Sequence, residues 1–268
     1  MVRVSDICVG GHHPLVFIGG PCVIEGREQT LRLAEAMAQM CVDAEIGFVF
    51  KSSFDKANRT HVDAFRGPGL DEGLEILAAV RTEVGVSVTT DIHAPWQAEK
   101  VAAVVDLIQI PAFLCRQTDL LRAAAETNKP VNLKKGQFMS PDAMGHAVEK
   151  AAGVGGVMVT ERGTFFGYGD LVVDMRAIRI LGDLGVPVVF DATHSVQRPA
   201  SGSDRTGGSR RDVPGLSCAA VAAGADALFA EVHEDPDRAL SDAASQLALR
   251  DLPGLLDRWT SIARVVRS

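Results

Sequence analysis

At 268 residues the chain is long enough to bury a large core, as one large α/β domain or two smaller ones. A formal charge of −7 argues against non-specific nucleic-acid binding, so any anion must be held by a local cluster of cations. Hydrophobic content of 47% with a single Tyr and two Trp makes the core aliphatic, which suits strands wrapped by helices.

The five cysteines (Cys8, Cys22, Cys41, Cys115 and Cys218) are odd in number, irregular in spacing and free of any C-x-x-C pair. That pattern points to a reducing compartment with free thiols. The opening Met-Val-Arg-Val-Ser-Asp lacks the basic-then-apolar layout of a signal peptide, and no apolar run approaches the roughly 20 residues of a membrane span. A soluble, cytoplasmic protein with no membrane contact is expected.

The predicted elements begin with a short strand pair in 1–13, turned at Gly10-Gly11. Residues 15–23 form the first strong strand, broken by Gly19-Gly20-Pro21. A helix follows over 27–43, with Leu31, Ala34, Met37, Ala38 and Cys41 at helical spacing. Strands and helices then alternate: strand 48–50, helix 74–84, strand 86–90, helix 96–105, strand 107–111, helix 118–127 and strand 131–133. Ser140-Pro141 reads as a helix start, with Ser as N-cap and Pro in the first turn. Strand 157–160, helix 174–184, strand 186–190, helix 213–223 and strand 227–230 follow. Helical sequence is expected from Arg238 onward.

Eight strand–helix units in one chain of this size predict an α/β fold, a parallel (β/α)8 TIM barrel with a short N-terminal β-hairpin, as a single domain over 1–268. The competing architecture is an open doubly wound sheet. No Gly-x-Gly-x-x-Gly follows the first strand, so dinucleotide binding is not supported. The segment 201–211 (SGSDRTGGSRR) falls between strand seven and helix seven, as a mobile lid or an ordinary disordered surface loop.

In a barrel the chemistry belongs at the carboxyl ends of the strands. Cys22 and Glu25 stand at the first, Lys51 at the second and Thr90-Asp91-Ile92-His93 at the third. Gln109 lies in the fourth, and Lys134-Lys135 and Glu161-Arg162 end the fifth and sixth. Asp191-Ala-Thr-His194 and Glu231-Val-His233 end the last two. Just past strand two, Lys51, Lys56 and Arg59 lie within nine residues. With Lys134 and Arg162 they make a cationic set large enough for two phosphates, or a phosphate and a carboxylate. Cys22, His194, Glu231 and a later carboxylate offer mixed S, N and O donors. Those donors suit one divalent metal ion (Zn2+, Fe2+, Mn2+ or Co2+). Cys22 is equally at home as a small buried hydrophobe, and His194 as a hydrogen-bonded core histidine.

Nine segments carry a resemblance: GGPCVIEG (19–26), KSSFDKANRT (51–60), FRGPGLDEGL (65–74), TDIH (90–93), QIPAFLCRQTDLL (109–121), VNLKKGQF (131–138), ERGTFFGYGDLVVDMR (161–176), FDATHSVQ (190–197) and EVHEDPDRALSD (231–242). Together they span nearly the whole chain, and the chain resembles the 3-deoxy-D-manno-octulosonate 8-phosphate synthase family. The resemblance implies a (β/α)8 barrel, usually a homotetramer. It also implies a transferase that condenses phosphoenolpyruvate with D-arabinose 5-phosphate and water, releasing phosphate, for lipopolysaccharide synthesis. One branch of that family needs a divalent metal and carries Cys in the GPC motif, where the other has Asn. Cys22 therefore resembles the metal-dependent branch, whose other ligands fall on His194, Glu231 and Asp242. By motif, Lys51, Lys56, Gln109, Lys134 and Arg162 correspond to the phosphoenolpyruvate-holding set. Asn58, Arg59 and Thr60 correspond to arabinose 5-phosphate contacts, and Arg116 to a residue reaching in from a neighbouring subunit. Lys56, Asp91 and His194 are the expected catalytic groups. Thr60, Phe165 and Ala243 depart from the family pattern, which usually has Ser, Asn and Gly there. Related barrels that make 3-deoxy-D-arabino-heptulosonate 7-phosphate or sialic acid are the nearest enzymatic alternatives. A barrel that only binds a phosphorylated ligand is the non-catalytic one.

Overall fold

The computed structural model describes residues 1–59, 61–168, 170–198 and 207–267. Among the described residues fifteen strands occur in chain order: β1 (Val2–Val4), β2 (Ile7–Val9), β3 (Val16–Gly20), β4 (Gly47–Lys51), β5 (Ser87–Asp91), β6 (Leu107–Ile110), β7 (Val131–Lys134), β8 (Val157–Glu161), β9 (Thr164–Phe165), β10 (Leu171–Val172), β11 (Val188–Asp191), β12 (Gln197–Arg198), β13 (Gly207–Gly208), β14 (Ala227–His233) and β15 (Leu247–Ala248). The helices are α1 (Arg27–Asp43), α2 (Leu70–Ala79), α3 (Ala98–Ala102), α4 (Thr118–Glu126), α5 (Gly145–Ala151), α6 (Arg176–Gly182), α7 (Val213–Ala222) and α8 (Leu252–Val266).

Eight parallel strands close on themselves in the order β3-β4-β5-β6-β7-β8-β11-β14, with β14 pairing back onto β3. This is the expected (β/α)8 barrel, and the open sheet is set aside. β1 and β2 form the expected antiparallel hairpin.

Side chains alternate across each strand, so the barrel holds two apolar populations. Outward residues such as Phe17, Phe48, Val88, Leu133 and Phe190 pack under the helices. Inward residues Ile18, Val49, Leu107, Met158, Val189 and Phe229 fill the lower barrel, and Val2, Val4 and Val9 of the hairpin close its floor. This packed lower layer closes the barrel to water from below.

Moving two residues up each strand keeps the inward direction and changes the chemistry. Val49 leads to Lys51, Leu107 to Gln109, Val189 to Asp191 and Phe229 to Glu231, and all four upper residues are buried. Close approach is needed where β3 meets the end of β4. A Cβ on Gly20 would lie 2.1 Å from the Lys51 carbonyl oxygen, so no larger residue fits.

Several expected element bounds differ. The helix expected over 74–84 begins earlier, at Leu70, and ends in a π turn over Val80–Val84. Ser140 caps no helix. Asp142–Met144 form a 3-10 turn that feeds α5 from Gly145. Helix does not begin at Arg238. Residues 239–248 run through turns into β15, and α8 starts only at Leu252. Asp242 adopts φ +45° there, a left-handed conformation that ends any helix. Of the proposed lid, 201–206 lie outside the described residues, while Gly207–Gly208 pair with Gln197–Arg198 as a two-stranded ribbon.

Candidate active site

The inward positions at the tops of the strands form one buried polar layer. Lys51 Nζ donates to Ser53 Oγ at 2.7 Å and sits 3.2 Å from Asp91 Oδ2. Asp91 also accepts from Ser53 and from the Gln109 amide. Gln109 Oε1 accepts from Asn132 Nδ2 at 3.0 Å, and Thr160 Oγ1 donates to Asn132 Oδ1 at 2.6 Å. The chain of bonds runs across β4, β5, β6, β7 and β8, and fixes which way each amide points. Burial pushes the Asp91 carboxyl up, but Lys51, Lys56 and His93 together hold it well below the usual carboxylate range.

On the opposite wall Lys134 pairs with Asp191 and lies 3.6 Å above the centre of the Phe229 ring. Burial pulls its pKa down to about 8 against the pull of Asp191. Alternation separates it from Lys135, which faces outward. Lys135 Nζ donates to the carbonyls of Gly136, Met139 and Gly163 and lies 3.5 Å from Glu161 Oε1. Of the two adjacent lysines, one therefore belongs to the site and the other clamps the loops after β7 and β8.

Arg162, buried at 4% exposure, gives one guanidinium nitrogen, Nη2, to Gln197 Oε1 at 2.8 Å. The other, Nη1, is buried without a partner. A fork with one tine fixed and one unpaired is a seat for an anionic oxygen.

The mixed donor set gathers beside it. A sulfur or oxygen atom from each of Cys22, Glu231 and Asp242 lies within 4.8 Å of the other two. His194 joins them. Its Nδ1 is 2.7 Å from Asp191 Oδ2, which turns Nε2 to face Glu231 Oε1 at 3.4 Å and Asp242 Oδ2 at 3.8 Å. A histidine held by a carboxylate on one nitrogen and presenting the other is the arrangement of a metal ligand. Lys56 Nζ is 3.3 Å from Glu231 Oε1, and Glu231 Oε2 is buried without a partner. Burial opposes the charge on Glu231, yet His194, Lys56 and Lys51 bring its pKa to about 2. Burial drives the Cys22 thiol well up, with Glu231 and Asp242 adding to the rise. An orphaned carboxylate oxygen, a thiol and an aimed imidazole nitrogen fit a divalent ion of borderline softness.

Arg59 rims this cluster. It donates to Ser241 Oγ at 2.7 Å and lies 3.7 Å from Asp242 Oδ1, and its Nε is buried without a partner. Cys22 Sγ donates to the same Ser241 hydroxyl at 3.0 Å. The structure thus brings together Cys22, Lys51, Lys56, Arg59, Asp91, Gln109, Lys134, Arg162, His194, Glu231 and Asp242. Asn58 and Arg116 stay outside the cluster, with exposed side chains, and Thr60 lies outside the described residues. Phe165 stands in β9 at 39% exposure and offers no polar atom.

Sequence reasoning gave no site role to Asp191, Gln197, Asn132 or Ser241. Asp191 was legible as a strand-end carboxylate in the same run as His194. The other three lie inside quoted segments, Asn132 in 131–138, Gln197 in 190–197 and Ser241 in 231–242, but no role attached to them there, because each acts by bonding a residue distant in sequence.

A family model described as the DAHP synthetase I family matches residues 1–266, and the chain belongs to that family. Among curated relatives, the 2-dehydro-3-deoxyphosphooctonate aldolase of Syntrophobacter fumaroxidans is 54% identical over 259 residues, 96% of this chain and 90% of its own. Proteins of the same name from Synechococcus sp. and Geobacter sp. are 55% identical over 257 residues and 51% over 267. They cover 95% and 99% of this chain, and 90% and 98% of their own lengths. That name is a synonym of the synthase whose family the nine segments resemble.

Proposed function

We propose that the protein is a transferase that condenses phosphoenolpyruvate with D-arabinose 5-phosphate and water. The products are 3-deoxy-D-manno-octulosonate 8-phosphate, for lipopolysaccharide biosynthesis, and phosphate. The relatives' names supply the reaction class. The observation that carries the reading is the pairing of two unsatisfied seats: Arg162 Nη1, suited to an anion, and Glu231 Oε2, suited to a cation, are both buried without a partner.

The reaction forms a bond between the enol carbon of phosphoenolpyruvate and the aldehyde carbon of the pentose. Water adds at C2, and the C2–O bond breaks to release phosphate. Both substrates are anions and repel one another. Lys51, Lys134 and Arg162 offset that repulsion for phosphoenolpyruvate, and Arg59, with Asn58 and Thr60, does so for the sugar phosphate. Gln109, locked between Asp91 and Asn132, orients its amide on the floor beneath. Lys56 keeps its proton. Burial opposes its charge, but Cys22, Glu231, Asp91 and Asp242 outweigh that effect. It supplies positive charge beside the Glu231 carboxylate. Asp91 stays ionised and holds Lys51 and Gln109 in place, and His194 is oriented by Asp191. Cys22, His194, Glu231 and Asp242 would hold one divalent ion, which when bound supplies Lewis acidity toward the aldehyde or the water.

We read the chain as one barrel domain over 1–268. The hairpin packs on the inner strand residues, and Trp259 of α8 packs on Phe17 of β3. Among the described residues no helix is long and apolar enough to cross a membrane. We place the protein in the cytoplasm as a homotetramer. Phe113, Phe138, Phe166 and Tyr168, in the loops after β6, β7 and β8, stand exposed and could cover one another across a second copy.

The test is phosphate release from phosphoenolpyruvate with arabinose 5-phosphate, erythrose 4-phosphate or N-acetylmannosamine, before and after chelation and with single divalent metals restored. Release with arabinose 5-phosphate alone, lost on chelation and regained with metal, is the expected result. Release only with another acceptor overturns the substrate, and calorimetric binding without release overturns the reaction.

A further inference from the structure

Among the described residues, Gln197 is the one side chain hydrogen-bonded to both Arg162 and Asp242. It is 8% exposed and lies at the base of the ribbon formed by β12 and β13, where Gln197 pairs with Gly208. Its Oε1 accepts from Arg162 Nη2 at 2.8 Å. Its Nε2 donates to Asp242 Oδ2 at 2.9 Å. A primary amide carries an acceptor and a donor on one rigid plane. Turned over, it would set its NH2 against a guanidinium and its carbonyl against a carboxylate. Only one orientation is stable, so the amide transmits position as well as filling space. Beyond each partner lies a buried atom still lacking its own: Nη1 on Arg162, and Oε2 on Glu231 beside Asp242.

We propose that Gln197 is a positioning residue that couples the phosphoenolpyruvate seat at Arg162 to the divalent-metal seat at Asp242. The inference rests on the function proposed above. An anion drawn to Arg162 Nη1 fixes the guanidinium. The guanidinium fixes the amide, and the amide fixes the Asp242 carboxylate for the cation. The same chain runs in reverse, so each ligand tightens the other. Gln197 touches neither reacting carbon.

Two variants separate this role from packing. Gln197→Met keeps the length and removes both polar atoms. Gln197→Asn keeps the amide but withdraws it by one methylene, so it no longer spans both partners. Metal-stripped protein is titrated with Cd2+, read by the thiolate-to-metal absorption at Cys22, with and without saturating phosphoenolpyruvate. Phosphoenolpyruvate is titrated by calorimetry with and without Cd2+. In the wild type each ligand should lower the dissociation constant of the other by about fivefold or more, and linkage requires the two ratios to agree. In either variant with a wild-type circular dichroism spectrum, the ratio should fall toward one. A residue that only packs would shift stability, or both constants alike, and leave the ratio intact. An unchanged ratio in a folded variant, or no coupling in the wild type, overturns the proposal. A wild type that binds neither probe overturns the functional reading itself.

Discussion

At the residue scale the site works by leaving a few buried atoms unsatisfied where ligands are to sit. Cys22 is not one of them, since its thiol donates to Ser241, but burial leaves it the same need for a ligand. Its thiol is buried and its pKa raised, so ionisation needs a compensating cation. Metal loading should therefore release a proton and weaken as pH falls. Cys22→Ala should lower metal affinity by at least the roughly 10- to 100-fold that loss of an outer-shell partner costs, with the fold kept. Full activity in the metal-stripped variant would sink the metal reading. Lys134 makes a second prediction. With its pKa near 8 it loses its charge above that pH, and anion binding weakens. The kcat/KM for phosphoenolpyruvate should fall above about pH 8 with a single proton. In Lys134→Arg that limb should move out of range, because arginine keeps its charge. A limb that stays in place would assign it to another group.

At the element scale, the segment between β14 and α8 is the part that sequence periodicity misread. Its shape comes from Gln246, whose Oε1 accepts from the Cys22 backbone N–H at 3.3 Å while Nε2 donates to the Ser241 carbonyl at 2.7 Å. One fully buried amide ties the two loops that carry Cys22 and Asp242. Gln246→Ala should weaken metal binding by about tenfold with a smaller effect on unfolding, measured by metal titration beside denaturant midpoints. The β1–β2 hairpin holds the floor. Val4→Ala removes fully buried methyl groups below Phe229 and should cost about 2 kcal/mol of stability at an unchanged denaturant slope. An unaffected midpoint would show that the hairpin is dispensable to the barrel.

At the scale of the whole molecule, closure of the barrel turns separate strand ends into one ring. β14 pairs with both β11 and β3, so Glu231 stands across from Lys56, and Cys22 within reach of Asp242. Arg116 stands exposed and apart from its own cluster, and the proposed tetramer would give it a neighbour's site to serve. Arg116→Ala and Cys22→Ala proteins, each inactive alone, should recover phosphate release when mixed and allowed to exchange subunits. No recovery, or a monomer by sedimentation, would confine each site to one chain.

Sequence by itself determined the eight barrel strands, the hairpin and the residue types on the rim, because short apolar runs and strand-end chemistry are local signals, but not the five short strands β9, β10, β12, β13 and β15. Lys51, Lys134, Arg162, His194 and Glu231 were legible for that reason. The sequence motif already chose Lys134 over Lys135, and the tertiary structure supplies the reason, since the pleat turns Lys134 toward Asp191 and Lys135 toward Glu161. Tertiary structure alone decided that residues 239–248 are not helix, because Asp242 and Gln246 answer to Arg59, Gln197 and Cys22 rather than to their neighbours in sequence. Gln197 stayed silent in the sequence for the same reason: its meaning lies in two hydrogen bonds to residues 35 and 45 positions away.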